Sequence, residues 1–321
     1  MKICVFGAGA IGGYIAAHLA RVPDLEVSIV GRGPQLTAIR QQGIRIAGPD
    51  AAFTATLRAT DRPEELGPQD YVFITLKSHQ VDAALGGIAS LIGPRTAVIP
   101  PTTGIPYWYF HGQPGPSAGR RLDVLDPGGR QWDVLGPERA IGCVFWVATE
   151  VEAPGIIRHD GAGGSFPIGE PDDTISPRLE RLACAMREAG MRAPTTTNIR
   201  GWIWIKMISS LCWNPVATLG QATLGRIHEH PEAVDLVRRM MIEAEDVATA
   251  LGATLPVARE KRIATTRLAH AHKMSMLQDL ERGRTLEIDA LADSIRTMRE
   301  IAGVQTPTID LVLTLLRLRA G

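Results

Sequence analysis

Residues 2–12 read Lys2-Ile3-Cys4-Val5-Phe6-Gly7-Ala8-Gly9-Ala10-Ile11-Gly12. Lys2 to Phe6 is a short apolar run of the kind that forms a parallel strand buried on both faces. It ends in G-x-G-x-x-G and passes into an alanine-rich helical stretch through Tyr14, Ile15 and Leu19. The first glycine makes the tight turn, the second lets backbone approach a pyrophosphate, and the third lets helix and strand pack closely. The N–H groups of the helix N-terminus then face the anion. Outside a strand–turn–helix setting the motif is a weak signal; inside one it marks a dinucleotide-binding unit. Gly7, Gly9, Ala10, Ile11 and Gly12 are therefore expected to cradle a cofactor diphosphate. The expected fold class is α/β, with an N-terminal Rossmann-type domain.

The next strand, Glu26 to Val30, decides which dinucleotide. A site for NAD carries an acid at the end of this strand to bind the ribose 2′-hydroxyl. Here the strand runs into Gly31-Arg32-Gly33. An arginine there lacks the acid that repels a 2′-phosphate, and its fork of donors can grip one. Arg32 thus points to NADP, with a solvated loop arginine as the alternative. Pro34 to Gln42 reads as a helix stopped by Gly43. Tyr71 to Thr75 is another buried strand, and Lys77 follows its end, where such sheets carry ligands. His79 reads as a helix-start or surface residue. Ala97 to Pro100 is the next strand, and its loop, containing Thr103, is expected to face the cofactor. Pro106 to Arg139 is irregular and rich in Pro, Gly and aromatics. Segments 141–148, 155–159 and 166–168 are strand-like and are expected to complete the sheet with antiparallel members.

Glu170-Pro171-Asp172-Asp173 reads as the boundary between a dinucleotide domain, 1–172, and an all-helical domain, 173–321. Helical spacing begins at Pro177 and recurs at 231–251, 256–270, 286–302 and 307–318. The informative stretch is Gly201 to Gly225, apolar nearly throughout, with Lys206 as its single charge. On a helix Lys206, Ser210 and Asn214 share one stripe at i, i+4 and i+8. A polar row among Trp202, Trp204, Ile205, Met207 and Leu211 needs partners. They are either protein groups or a substrate. Glu287 opens a later helix and, on the residues alone, is a carboxylate favoured by the helix dipole. Ser275 reads equally as a helix N-cap.

Bulk properties narrow the function classes. The 321 residues carry 34 Lys+Arg and 34 Asp+Glu, with 45% hydrophobic and 21% charged residues. That balance argues against a general nucleic-acid or membrane-surface binder. The four cysteines are scattered without metal-ligand spacing, so reduced thiols in the core, a cytoplasmic location and no metal are expected. MKICVFG is strand-like and has no signal-peptide pattern. A homodimer, formed through an apolar face of the helical domain, is one expected partner arrangement beside the small-molecule substrate.

The segments KICVFGAGAIGG, VGRG, ITLKSHQ, PGIIRHDG with IGE, WIKMISSLCWNP and SMLQDLERGRTLEID, in this order, resemble the ketopantoate reductase (2-dehydropantoate 2-reductase) family. The resemblance spans nearly the whole chain. It implies the two-domain architecture above and NADPH-dependent reduction of a 2-oxo acid, ketopantoate to pantoate, on the route to pantothenate and coenzyme A. It implies that Lys206 is the general acid and that Glu287 holds its ammonium. Asn214 and Ser275 would bind substrate, and Lys77 would lie beside the cofactor. Two positions depart from the family pattern: Thr103 stands where the loop usually has asparagine, and Ser210 replaces the first asparagine of the lysine row. These departures favour the alternative of a related NADP-dependent dehydrogenase for another 2-oxo or 3-hydroxy acid. A non-catalytic NADP-binding sensor is a further alternative that leaves Lys206 and Glu287 without a task.

Overall fold

The computed structural model describes residues 1–48, 52–101, 104–159 and 164–320. The chain divides into two compact units, Met1–Thr102 with Pro106–Ile199, and Thr103–Ile105 with Arg200–Gly321. The strands are β1 (Lys2–Phe6), β2 (Glu26–Val30), β3 (Ile44–Ala47), β4 (Phe53–Ala55), β5 (Arg58–Thr60), β6 (Tyr71–Ile74), β7 (Ala97–Ile99), β8 (Gly142–Cys143), β9 (Thr149–Ala153), β10 (Ile156–His159) and β11 (Ile168–Gly169). The helices of the first unit are α1 (Ala10–Leu19), α2 (Gly33–Gln42), α3 (Ser78–Ala89), α4 (Arg130–Leu135) and α5 (Pro177–Glu188).

The main sheet has the order β5-β2-β1-β6-β7, and every pairing in it is parallel. β1 lies at its centre, with Ile3, Cys4 and Val5 fully buried, as its unbroken apolar run requires. The strand-like segments after residue 140 do not extend this sheet as expected. Ile141 donates one backbone bond to Val98 at 2.8 Å, and the chain then leaves the edge. Among the described residues β8 pairs with β11, antiparallel, while β10 pairs with β9 antiparallel and with β3 in parallel. The result is a separate sheet, β4-β3-β10-β9, laid against α1. Two adjacent glycines allow this sandwich. A Cβ on Gly12 would sit 1.9 Å from the Gly7 carbonyl oxygen, and one on Gly13 would sit 2.9 Å from Ile157. α1 is pressed by the phosphate loop on one side and by the second sheet on the other.

The sequence reading opens the helical domain at 173, but α5 belongs in space to the first unit. Its Leu179, Leu182, Ala183 and Met186 join the core that contains Ile3, Ile15 and Phe73. Its N-terminus is fixed there too. Ser176 caps it by accepting from Leu179 N at 3.1 Å, Tyr71 donates to the Arg178 carbonyl at 2.7 Å, and Arg178 pairs with buried Glu170 at 2.6 Å. The apolar face that helical spacing revealed is the same; which core it joins depends on these distant partners. The irregular stretch 106–139 contributes Tyr107, Trp108, Tyr109 and Phe110, all buried. Cys4, Cys143 and Cys212 are buried thiols, whereas Cys184 on α5 is exposed, contrary to the expectation of four core cysteines.

The second unit is helical: α6 (Ile199–Gly220), α7 (Leu224–His228), α8 (Pro231–Ala250), α9 (Arg259–Arg267), α10 (Ser275–Glu281), α11 (Ile288–Ala302) and α12 (Pro307–Ala320). α8 packs against α7, α9, α11 and α12 through Val237, Met240, Met241, Ala244 and Val247. Glu243 on α8 accepts from Thr308 N at 2.9 Å and Ile309 N at 3.0 Å, so a side chain of one helix closes the N-terminus of another. Among the described residues no helix is long and apolar enough to cross a membrane.

Candidate functional site

In the first unit the phosphate loop is held from both sides. Gly7 N donates to Val30 O at 2.9 Å, Thr75 N to Phe6 O at 2.9 Å, and the Thr75 hydroxyl to Gly7 O at 2.8 Å. Gly7 has φ +125°, which only glycine adopts freely. Around Gly7 and Gly12 the space is filled by the chain itself. Over Gly9 it is open: a Cβ there would meet nothing within 4 Å. Gly9 is the N-cap of α1 with extended backbone and no side-chain cap, so Ala10, Ile11 and Gly12 begin a helix whose first N–H groups have no intrahelical partner. An open approach, a bare backbone and a helix N-terminus together fit a diphosphate.

Beside the loop lies a cavity of about 420 Å³ whose lining includes Gly7, Ala8, Arg32, Gln35, Asp61 and Gln80. Arg32, exposed at the N-cap of α2, lines this cavity. Lys77 is the N-cap of α3 immediately after the β6 end; Leu76 and Gln80 on either side of it line the cavity. Thr103 lies outside the described residues. Two lining residues carried no signal in the sequence. Gln35 accepts from Gly155 N at 3.0 Å through its side-chain oxygen. Asp61 follows β5 and reaches the rim because β5 pairs with β2, with Gly31 N donating to Thr60 O at 3.0 Å.

In the second unit Lys206, Ser210 and Asn214 do stand on one helix, α6, which continues through Pro215. Lys206 is half-buried on a helix whose Ile203, Trp204 and Ile208 are fully buried. Burial lowers its ammonium from the usual 10.5 to about 8, because an apolar surround disfavours the charged form. Ser210 is half-buried, and its carbonyl accepts from Asn214 Nδ2 at 3.1 Å. Asn214 is buried, and its Oδ1 accepts from Met276 N at 3.1 Å and faces the Ser275 hydroxyl at 3.5 Å. Of the expected substrate ligands the structure therefore joins Asn214 and Ser275 directly. Asn214 acts there as the cap of α10, whose first residue is Ser275 and whose N-cap Met274 has no side chain able to do so. The Ser275 hydroxyl is not an N-cap itself. Glu287 is the half-buried N-cap residue of α11.

Ser294, on α11, is a further residue that sequence reasoning missed. It is buried and accepts from Ile105 N at 3.0 Å while donating to Ala290 O at 2.6 Å. Gly104, at φ +82°, passes so close that a Cβ would lie 2.4 Å from the Ser294 hydroxyl. The loop after β7 is thus fastened to α11. A serine inside a helical pattern has no local mark of such a role.

Two family models match the chain. The model described as Ketopantoate reductase PanE/ApbA covers residues 3–105, and that described as Ketopantoate reductase PanE/ApbA C terminal covers residues 198–320. A 2-dehydropantoate 2-reductase of Mesorhizobium japonicum is 45% identical over 317 residues, which is 99% of this chain and 97% of that protein. The crystal structure of a candidate ketopantoate reductase from Ralstonia solanacearum superposes with a TM-score of 0.90 at 38% identity, covering 99% of this chain and 97% of that one. The ternary structure of D-mandelate dehydrogenase with NADH and anilino(oxo)acetate has a TM-score of 0.82 at 22% identity, covering 100% of this chain and 98% of that one; it shares the fold.

Proposed function

Since this chain belongs to the ketopantoate reductase family, we propose that it reduces a 2-oxo acid with NADPH. The substrate is 2-dehydropantoate and the product pantoate, made in the cytoplasm for pantothenate and coenzyme A. The observation that carries this reading is a lysine set in an apolar helix and lowered to about 8, in a chain whose other unit holds a dinucleotide cradle.

When bound, the reduced nicotinamide supplies the hydride. The protein's task is to hold the nucleotide, orient the oxo acid and deliver a proton. Gly7, Gly9, Ala10, Ile11 and Gly12 would hold the diphosphate, Arg32 would take the 2′-phosphate, and Lys77 would lie beside the cofactor. As hydride reaches C2, negative charge develops on the carbonyl oxygen. The Lys206 ammonium stabilises that charge and gives its proton to the oxygen, leaving a neutral amine. With its pKa near 8 the amine regains a proton from solvent at neutral pH, which suits a general acid. Glu287 keeps the ammonium charged and oriented. The Ser275 hydroxyl binds the substrate's polar end. Asn214 acts on the substrate and, through its bonds to Ser275 and Met276, on the element that presents it.

Steady-state NADPH oxidation with ketopantoate and close analogues tests the proposal. The expected result is a kcat/KM for ketopantoate at least tenfold above any analogue, a margin that contact differences in one pocket supply at about 1–3 kcal/mol. No ketopantoate turnover, with turnover of another oxo acid, overturns it. Ser210 favours that second reading, because a hydroxyl reaches less far than the amide of the family pattern.

A further inference from the structure

The rim of the nucleotide cavity carries an acid after all, supplied by the neighbouring strand. β2 ends in Gly31-Arg32 without a carboxylate, but β5 runs parallel to it, and the residue after β5 is Asp61. Arg32, Gln35 and Asp61 all line the same cavity. A bare carboxylate at this place would accept ribose hydroxyls and oppose a 2′-phosphate, as the acid of an NAD site does. Asp61 is not bare. Arg40, on α2, donates from Nη2 to Asp61 Oδ1 at 2.8 Å and from Nε to the Ala59 carbonyl at 3.1 Å. Two anchors, one on β5 and one just past it, preset the guanidinium over the carboxylate. The hydrogen bond from Arg40, helped by the charges of Arg40 and Arg62, holds the Asp61 carboxyl below its usual range.

We propose that the Arg40–Asp61 ion pair sets the nucleotide preference of this site: Arg40 cancels the rim carboxylate so that Arg32 can accept a 2′-phosphate. This rests on the NADPH reading above. Without Arg40, Asp61 stands as an uncompensated anion beside Arg32 and turns the site toward the nucleotide without the 2′-phosphate. Both partners are about half exposed, with side chains 48% and 55% accessible. A pair so placed contributes little to folding, so its removal leaves the fold in place.

Calorimetric titration of the full chain with adenosine 2′,5′-bisphosphate and with adenosine 5′-monophosphate, which differ only by the 2′-phosphate, isolates this end of the cofactor. Wild type is expected to prefer the 2′-phosphorylated probe. Arg40→Ala should lower the ratio of the two affinities by about three- to tenfold, the scale of one partly screened charge contact. Asp61→Asn should raise or preserve it, and Arg40→Ala with Asp61→Asn should restore it. A structural role alone would weaken both probes equally. An unchanged ratio in Arg40→Ala, or no restoration in the double variant, overturns the inference. Wild type preferring the 5′-monophosphate would instead overturn the NADPH reading.

Discussion

Asn214 closes the N-terminus of α10: its side-chain oxygen accepts the backbone N–H of Met276 at 3.1 Å, 62 residues along the chain. The same oxygen faces the Ser275 hydroxyl, and the side-chain nitrogen donates to Ser210 O one turn back on α6. One amide thereby joins the lysine helix to the segment that carries Ser275.

Replacing that amide separates its two tasks. Asn214→Ala should lose about 1 kcal/mol of stability, the usual cost of a missing cap, and should also raise KM. Asn214→Asp keeps an acceptor for Met276 and places negative charge at a helix N-terminus, so stability should hold. Its charge would still repel a carboxylate substrate. Denaturant unfolding beside steady-state kinetics reads both; equal stability loss in the two variants would refute the capping role.

Lys206 should impose a pH limit. A general acid must begin protonated, so kcat/KM should fall as pH rises through about 8. Lys206→Ala should cost about 10²–10⁴ in rate. Folding carries the opposite mark. The folded value of about 8 lies below the usual 10.5, so between them the unfolded chain binds more protons, and this group's contribution to stability rises with pH. Lys206→Met should remove that rise in denaturation curves taken across the window. Activity persisting unchanged to high pH would exclude Lys206 as the donor.

The glycines of the phosphate loop should divide into two kinds. Gly12→Ala drives a Cβ to within 1.9 Å of Gly7 O, an overlap in a packed region that costs about 1–3 kcal/mol or more. Gly9→Ala meets nothing within 4 Å, so the protein should fold with wild-type stability yet bind NADPH more weakly, because the methyl fills the ligand's approach. Thermal unfolding together with nucleotide titration checks both; tight NADPH binding by Gly9→Ala would show that the diphosphate lies elsewhere.

Arg32→Ala should weaken NADPH more than NADH by about tenfold, the scale of a charge-assisted phosphate contact of 1.5–3 kcal/mol partly screened by solvent. The NADPH-to-NADH ratio of kcat/KM is the measurement. An unchanged ratio would leave Arg32 as a solvated loop residue.

Ser294→Ala should free the loop after β7. The variant leaves Ile105 N, now paired at 3.0 Å, without its acceptor in a buried place. The cost should be about 1–3 kcal/mol, with faster hydrogen exchange at Ile105. Native protection there in the variant would show that the loop is held by other contacts.

Where neighbours in the chain carry the physics, the reading from residues alone held. The strand–glycine–helix unit of 2–19 and the polar stripe of α6 each depend on spacings of a few residues. Backbone sterics and helical period dictate these without knowledge of the rest. The core face of α5 was legible in the same way, but its allegiance was not: Tyr71 and Glu170 draw it to the first unit. The later strands formed a second sheet around Gly13 and Ile157. Asn214 and Met276, Ser294 and Ile105, and Asp61 beside Arg32 are likewise meetings of segments far apart in the chain. Such contacts are chosen by which surfaces bury together, and a hydrogen-bonding side chain carries no local trace of the partner it will find. Local periodicity therefore specified the elements, the resemblance of the motifs implied the reaction class, and packing between distant elements specified how the candidate site residues are held.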